Sequence, residues 1–127
     1  MKLNYGPIIN LTARNPIDGN LYFLEDWFKV CNGNNLDVVR FDDIENLPEK
    51  PYDFRRVLKA DIRFPGICYR DKEGVLRIID GRHRLFRLKQ LGAKEGMFFV
   101  LRHKHLFDLT NRPLTSDYRQ ASAAAQY

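Results

Sequence analysis

Five consecutive residues, Asp80-Gly81-Arg82-His83-Arg84, have the types and spacing from which a phosphate site can be built. They lie between an apolar run, residues 75–79, and a basic segment that ends at Gly92. If these are strand, turn and helix, the helix start exposes backbone amides with no partner of their own, and the peptide dipoles favour negative charge there. Gly81 permits a sharp turn and a close approach by a ligand, because no Cβ stands in the way. Arg82 and Arg84 each offer a fork of donors matched to phosphate oxygens. His83, between them, can donate a hydrogen bond or move a proton near neutral pH. Arg87, one turn after His83, extends the same cationic lip. Together these residues describe an anion site at a helix N-terminus.

Plainer roles compete for the same residues. Asp80 can serve as a helix N-cap and accept the amides that a phosphate would use. Arg82, Arg84 and Arg87 can form a solvated face, or pair with acidic residues elsewhere. His83 taken singly reads as a surface histidine. What favours a site is the combination Asp-Gly-x-His-Arg between an apolar strand and a helix.

The elements around this turn follow from periodicity and punctuation. Residues 64–70 and 75–79 read as two strands of a hairpin around Asp71-Lys72-Glu73-Gly74, with glycine where a positive φ is wanted. Residues 82–91 read as a helix with Leu85, Leu88 and Leu91 as its apolar stripe and Gly92 as its stop. Residues 97–101 (MFFVL) are a buried strand returning to the sheet, and residues 36–41 (LDVVRF) a further short strand. Residues 52–60 suggest a short helix with Phe54, Val57 and Leu58 facing inward. Residues 20–31 space Leu21, Leu24, Phe28 and Cys31 as a helix, capped by Asp18 or Asn20 and stopped at Asn32-Gly33. Its aromatics, Tyr22, Phe23 and Trp27, suit core packing better than base stacking. Residues 1–19 read as extended pieces and turns, and periodicity fades from about Thr110.

With 127 residues, 44% of them hydrophobic, the chain makes a single α+β domain with a small mixed sheet and flanking helices. The expected organisation is an N-terminal extension over 1–35, a core over 36–105 and a tail over 106–127. No run approaches the roughly 18 apolar residues of a membrane span. No signal-peptide pattern opens the chain, so a cytoplasmic protein is expected. Cys31 and Cys68 have no metal-ligand spacing and read as buried thiols. His103 and His105 would share a strand face, as exposed residues rather than a zinc pair. No metal set is apparent.

The net charge of +5 is unevenly spread. Residues 1–54 hold 5 basic and 9 acidic side chains, whereas residues 55–105 hold 14 basic and 5 acidic. A basic half centred on the turn suits an anionic ligand, either a nucleotide or nucleic acid. Docking of the acidic half against the basic one would explain the same pattern.

Residues 64–101 resemble the core of the ParB/sulfiredoxin superfamily, with a hairpin, a glycine turn, a helix and a following strand. Asp80 to Arg84 is similar to the DGxHR form of that family's phosphate-binding motif. The chain departs from sulfiredoxins, which carry a catalytic cysteine directly after the motif glycine, where this sequence has Arg82. It departs from chromosome-partitioning ParB proteins as well, because the 22 residues after His105 are too few for a helix-turn-helix reader. The resemblance therefore implies a stand-alone, ParB-like member. Relatives with this motif include free-serine kinases. By motif position Asp80 would be a base or metal contact and His83 a phosphate donor, with Gly81 and Arg84 binding phosphate.

Two functional classes follow. One is a small nucleotide-dependent phosphotransferase or hydrolase, with Asp80 and His83 catalytic and a nucleoside triphosphate or diphosphate with Mg²⁺ as its ligand. Asp42, Asp43 and Glu45 are candidates by composition for a carboxylate outside the motif, although a solvated acidic turn explains them better. The other is a non-catalytic nucleic-acid-binding or nucleotide-sensing module, with Arg55, Arg56, Arg63 and Arg70 extending a backbone track. A blander third class keeps the fold without the ligand. The cofactor and the oligomeric state, a homo-oligomer included, stay open.

Overall fold

A computed structural model describes residues 12–50 and 53–110 of the chain. The sequence expectations for residues 1–11 and for the tail beyond Thr110 lie outside them. The described chain opens with an antiparallel ribbon of β1 (Thr12–Arg14) and β2 (Leu21–Phe23), in which Ala13 pairs with Tyr22. Helix α1 (Leu24–Val30) follows directly, then β3 (Leu36–Arg40) and the short helix α2 (Phe54–Lys59). The remainder is β4 (Gly66–Arg70), β5 (Leu76–Asp80), α3 (Arg82–Gln90), β6 (Glu95–Leu101) and α4 (His103–Thr110).

Four strands form the main sheet in the order β3-β6-β4-β5. β6 runs antiparallel to β3 and parallel to β4, while β4 and β5 form the antiparallel hairpin, so the sheet is mixed as the sequence predicts. Asp71 fastens that hairpin. Its Oδ1 accepts the backbone N–H groups of Glu73 and Val75, both at 2.9 Å, and Gly74 closes the loop at φ +85°.

Alternation along the strands sends Ile67, Phe99 and Leu101 to one face of the sheet and Cys68, Ile78 and Phe98 to the other. The first face packs on Tyr22, Leu24, Trp27 and Phe28 and on Leu106 and Leu109 of α4. The second is covered by Leu85 and Leu88 of α3 and by Phe41 and Ile44. Burial on both faces explains why β6 reads as a continuous apolar run rather than an alternating one. Withdrawing a side chain such as Phe99 or Leu101 from water stabilises the fold by about 1.5–3 kcal/mol.

Several sequence expectations are corrected. Residues 21–23 are a strand, so α1 begins only at Leu24 and Phe23 stands at its N-cap position without a side-chain cap. Asp18 instead shapes the β1–β2 turn, accepting from the Asn20 N–H at 2.9 Å and from the Tyr22 hydroxyl. Because Tyr22, Trp27 and Phe28 sit in the main core, residues 12–35 belong to it rather than extending from it. The tail likewise starts later than residue 106, since Leu106 and Leu109 are buried. In α2 only Val57 is buried, whereas Phe54 and Leu58 face solvent. On α3 the buried pair is Leu85 and Phe86, and Leu91 is exposed. His103 and His105 start a helix, where the His105 Nδ1 accepts the Arg102 N–H at 2.9 Å.

Candidate functional site

The glycine turn has the geometry that a helix-start anion site needs. Gly81 occupies the N-cap position of α3 at φ +104°, and no side chain caps the helix. Asp80 therefore does not take the capping role, and the first-turn amides of α3 keep no acceptor within the helix. Why only glycine fits is clear from the packing. A Cβ on Gly81 would lie 2.9 Å from the Gly66 Cα, and one on Gly66 would lie 2.8 Å from the Asp80 carbonyl oxygen. Two backbones thus touch where β5 ends and β4 begins, which sets the start of α3 tightly against the sheet.

The turn forms part of a cleft of about 910 Å³. Its walls come from the β1–β2 ribbon, the segment that includes α2, the end of β5 and the start of α3. Arg14, Arg56, Lys59, Arg82 and Arg84 line it, against the carboxylates of Asp61 and Asp80. Asp61 is engaged by Arg63 through Nε at 2.9 Å and Nη2 at 2.6 Å, which pulls its carboxyl down to about 2. The cleft is therefore cationic in balance, and low-dielectric walls concentrate such a field.

Asp80 and His83 line this cleft with pKa values shifted in opposite directions. The Asp80 carboxylate keeps 24% of its surface exposed, yet its Oδ2 is buried and accepts no hydrogen bond. Arg84 Nη2 stands 4.0 Å from that oxygen. Burial raises the Asp80 pKa, with Arg84, the Gly81 amide, Arg56 and Arg82 opposing the rise. For His83, burial lowers the pKa, with Arg56 and Arg82 adding to the fall and Asp53 and Asp80 opposing it. Its Nε2 is buried without a hydrogen-bond partner. One group holds its proton more tightly than usual and the other less, and both line the same cleft, which suits general acid–base work.

The structure brings Asp80, Gly81, Arg82, His83 and Arg84 together in the cleft. Arg84 has a second duty, because its Nη1 donates to the Pro65 carbonyl at 2.8 Å and its side chain is 17% exposed. Arg87 does not line the cleft, and its Nη1 donates to the Gln90 Oε1 at 3.2 Å. Of the proposed basic track, Arg56 reaches the cleft while Arg55, Arg63 and Arg70 do not. Asp42, Asp43 and Glu45 also lie outside it, next to Asn46, which lines the cleft and exchanges hydrogen bonds with the Ile78 backbone at 2.8 and 3.2 Å.

Sequence reasoning missed Arg14, Lys59 and Gly66. Arg14 sits in a three-residue strand too short for periodicity to flag, and the importance of Gly66 arises only where two distant backbones meet. The cysteines are buried as expected, and burial raises both thiols to about 12. Neither is a thiolate near neutral pH.

Comparison with protein-family models, curated proteins and solved structures finds no match to this chain. Among the described residues no helix is long and apolar enough to cross a membrane. Among the same residues no group of three or more His, Cys, Asp or Glu side chains could hold a metal ion.

Proposed function

We propose that the chain binds a phosphate-bearing ligand, a nucleotide, in the cleft at the start of α3 and acts on it as a small ParB-like phosphotransferase or hydrolase. One observation carries this reading: an uncapped helix start at a left-handed glycine opens into a cleft lined by five cationic side chains. Phosphoryl transfer needs mainly positioning and charge neutralisation, and the first-turn amides with Arg82 and Arg84 supply both. Asp80 and His83 are the groups able to accept or donate a proton there. Mg²⁺ would arrive on the nucleotide phosphates, with Asp80 as the carboxylate of the turn able to meet it. The hairpin, turn, helix and strand over residues 64–101 support the kinship with ParB-like domains.

A second reading is favoured by the cations outside the motif. Arg14, Arg56 and Lys59 flank the cleft from two other segments, as the backbone of a nucleic acid would require. In that case the protein binds without turnover, and affinity falls steeply as salt rises.

The deciding experiment is a melting curve with ATP, ADP, CTP and GTP, each with and without Mg²⁺, for the wild type and for Arg82→Gln. A nucleotide at about 100 times its Kd adds about 2.7 kcal/mol, which is a shift of several degrees. The expected result is such a shift with one nucleotide, at least halved in Arg82→Gln. Arg84→Ala is a poorer choice, since it would also release Pro65. If no nucleotide moves the transition, the nucleotide reading fails, and salt-titrated nucleic-acid binding tests the second one.

A further inference from the structure

One wall of the cleft is attached to the rest of the fold far more thinly than the others. Residues 53–63 bury a single side chain, Val57. Helix α2 spans six residues and packs beside α3. A helix this short has no stability of its own, so its tertiary anchor decides whether it stays in place. Phe54 and Leu58, four apart on one face, are 60% and 61% exposed and add nothing to that anchor. Segments with so few buried contacts open locally at low cost.

The same segment brings Arg56, Lys59 and Asp61 to the cleft. Asp61 is already engaged by Arg63, so the uncompensated charge that the segment offers is positive. Two like charges facing the cations of the turn across an open cleft repel them. An anion between the two sets reverses the sign of that interaction. It therefore binds the closed arrangement better than the open one and shifts the population toward it.

We infer that residues 53–63 form a strap that closes over an anion held at the glycine turn, with Arg56 and Lys59 as ligand-binding residues supplied from outside the motif. This rests on the reading of the cleft as an anion site. The ligand then carries charge beyond the single group that the turn amides can hold, as a di- or triphosphate does.

Chymotrypsin tests this, because Phe54 and Leu58 offer exposed cleavage sites on the strap while Phe107 of α4, 49% exposed, reports on cleavage elsewhere. The probe is inorganic tripolyphosphate, with melting temperature and cleavage at each site followed in the same samples. Expected are a raised melting temperature and cleavage after Phe54 and Leu58 slowed about tenfold, beyond any slowing at Phe107 that global stabilisation alone gives. The double variant Arg56→Gln/Lys59→Gln replaces two exposed side chains, so it keeps the fold, and it should bind the probe about tenfold more weakly and lose the protection. Stabilisation without slower cleavage at the strap, or unchanged affinity in the double variant, overturns the strap and leaves the anion site standing. Neither stabilisation nor protection overturns both.

Discussion

Asp80 costs the fold stability for the sake of its position. Its folded-state pKa lies above the ordinary 3.8, so the native protein holds that proton more tightly than the unfolded chain does. Such a group favours the native state below 3.8 and loses that contribution as pH rises through the folded value. Near neutral pH the buried, unbonded Oδ2 is therefore a liability. Asp80→Asn should raise the melting temperature at pH 7 by about 2–5 °C while abolishing whatever proton transfer the site performs. The gain should shrink as pH falls and vanish below about 3.8. Differential scanning calorimetry across that range checks it, and a variant less stable than wild type at pH 7 would refute the argument. His83 works in the opposite sense. Its folded pKa lies below 6.5, so its contribution is present above 6.5 and is lost as pH falls through the folded value.

Between elements, the contact of β4 with the β5–α3 turn makes a sharper demand. Gly81→Ala combines a residue at φ +104° with a Cβ at 2.9 Å from a backbone atom, and Gly66→Ala drives a Cβ to 2.6 Å from the Phe98 ring. Each should cost about 2–4 kcal/mol in urea denaturation. Gly74→Ala provides the comparison. It has a similar positive φ of +85° but nothing within 4 Å of the added atom, so about 1 kcal/mol is expected. Equal losses at all three positions would remove the close approach as the explanation.

These elements also show what was legible in the chain. The β4–β5 hairpin, α3 and β6 were readable because turn chemistry, apolar runs and a glycine stop agree locally. The Asp80–Arg84 cluster was readable for the same reason, since all five residues lie in one turn. The β1–β2 ribbon was not, because a three-residue strand running straight into a helix leaves no period to detect. Phe54 and Leu58 misled by having helical spacing without a surface to cover. Arg56 was named from the charge pattern, but its place beside Arg14 and Lys59 was hidden because the three come from segments that only tertiary packing unites.

Across the whole molecule, the stretch before the sheet is part of the core. Trp27 is fully buried and its Nε1 donates to the Ala13 carbonyl at 3.1 Å. A chain beginning at Leu36 would leave Phe99, Leu101, Leu106 and Leu109 without their cover. It should show no cooperative thermal transition, and Trp27→Ala in the full chain should cost about 3–5 kcal/mol. Circular dichroism melting of both checks this, and a cooperative transition in the truncated chain would refute it.

The Asn15 side chain donates to the Leu106 carbonyl at 2.9 Å, joining residues 91 positions apart. During synthesis this becomes a matter of time. At about 5–20 residues per second, several seconds separate the ribosome's addition of these two partners. For most of that interval Tyr22, Trp27 and Phe28 have been made while β6 and α4 have not. The nascent chain therefore carries an aromatic cluster with nothing to close on until its last elements leave the exit tunnel, and its window for capture by a chaperone or by a neighbouring chain is set by the distance from Asn15 to Leu106.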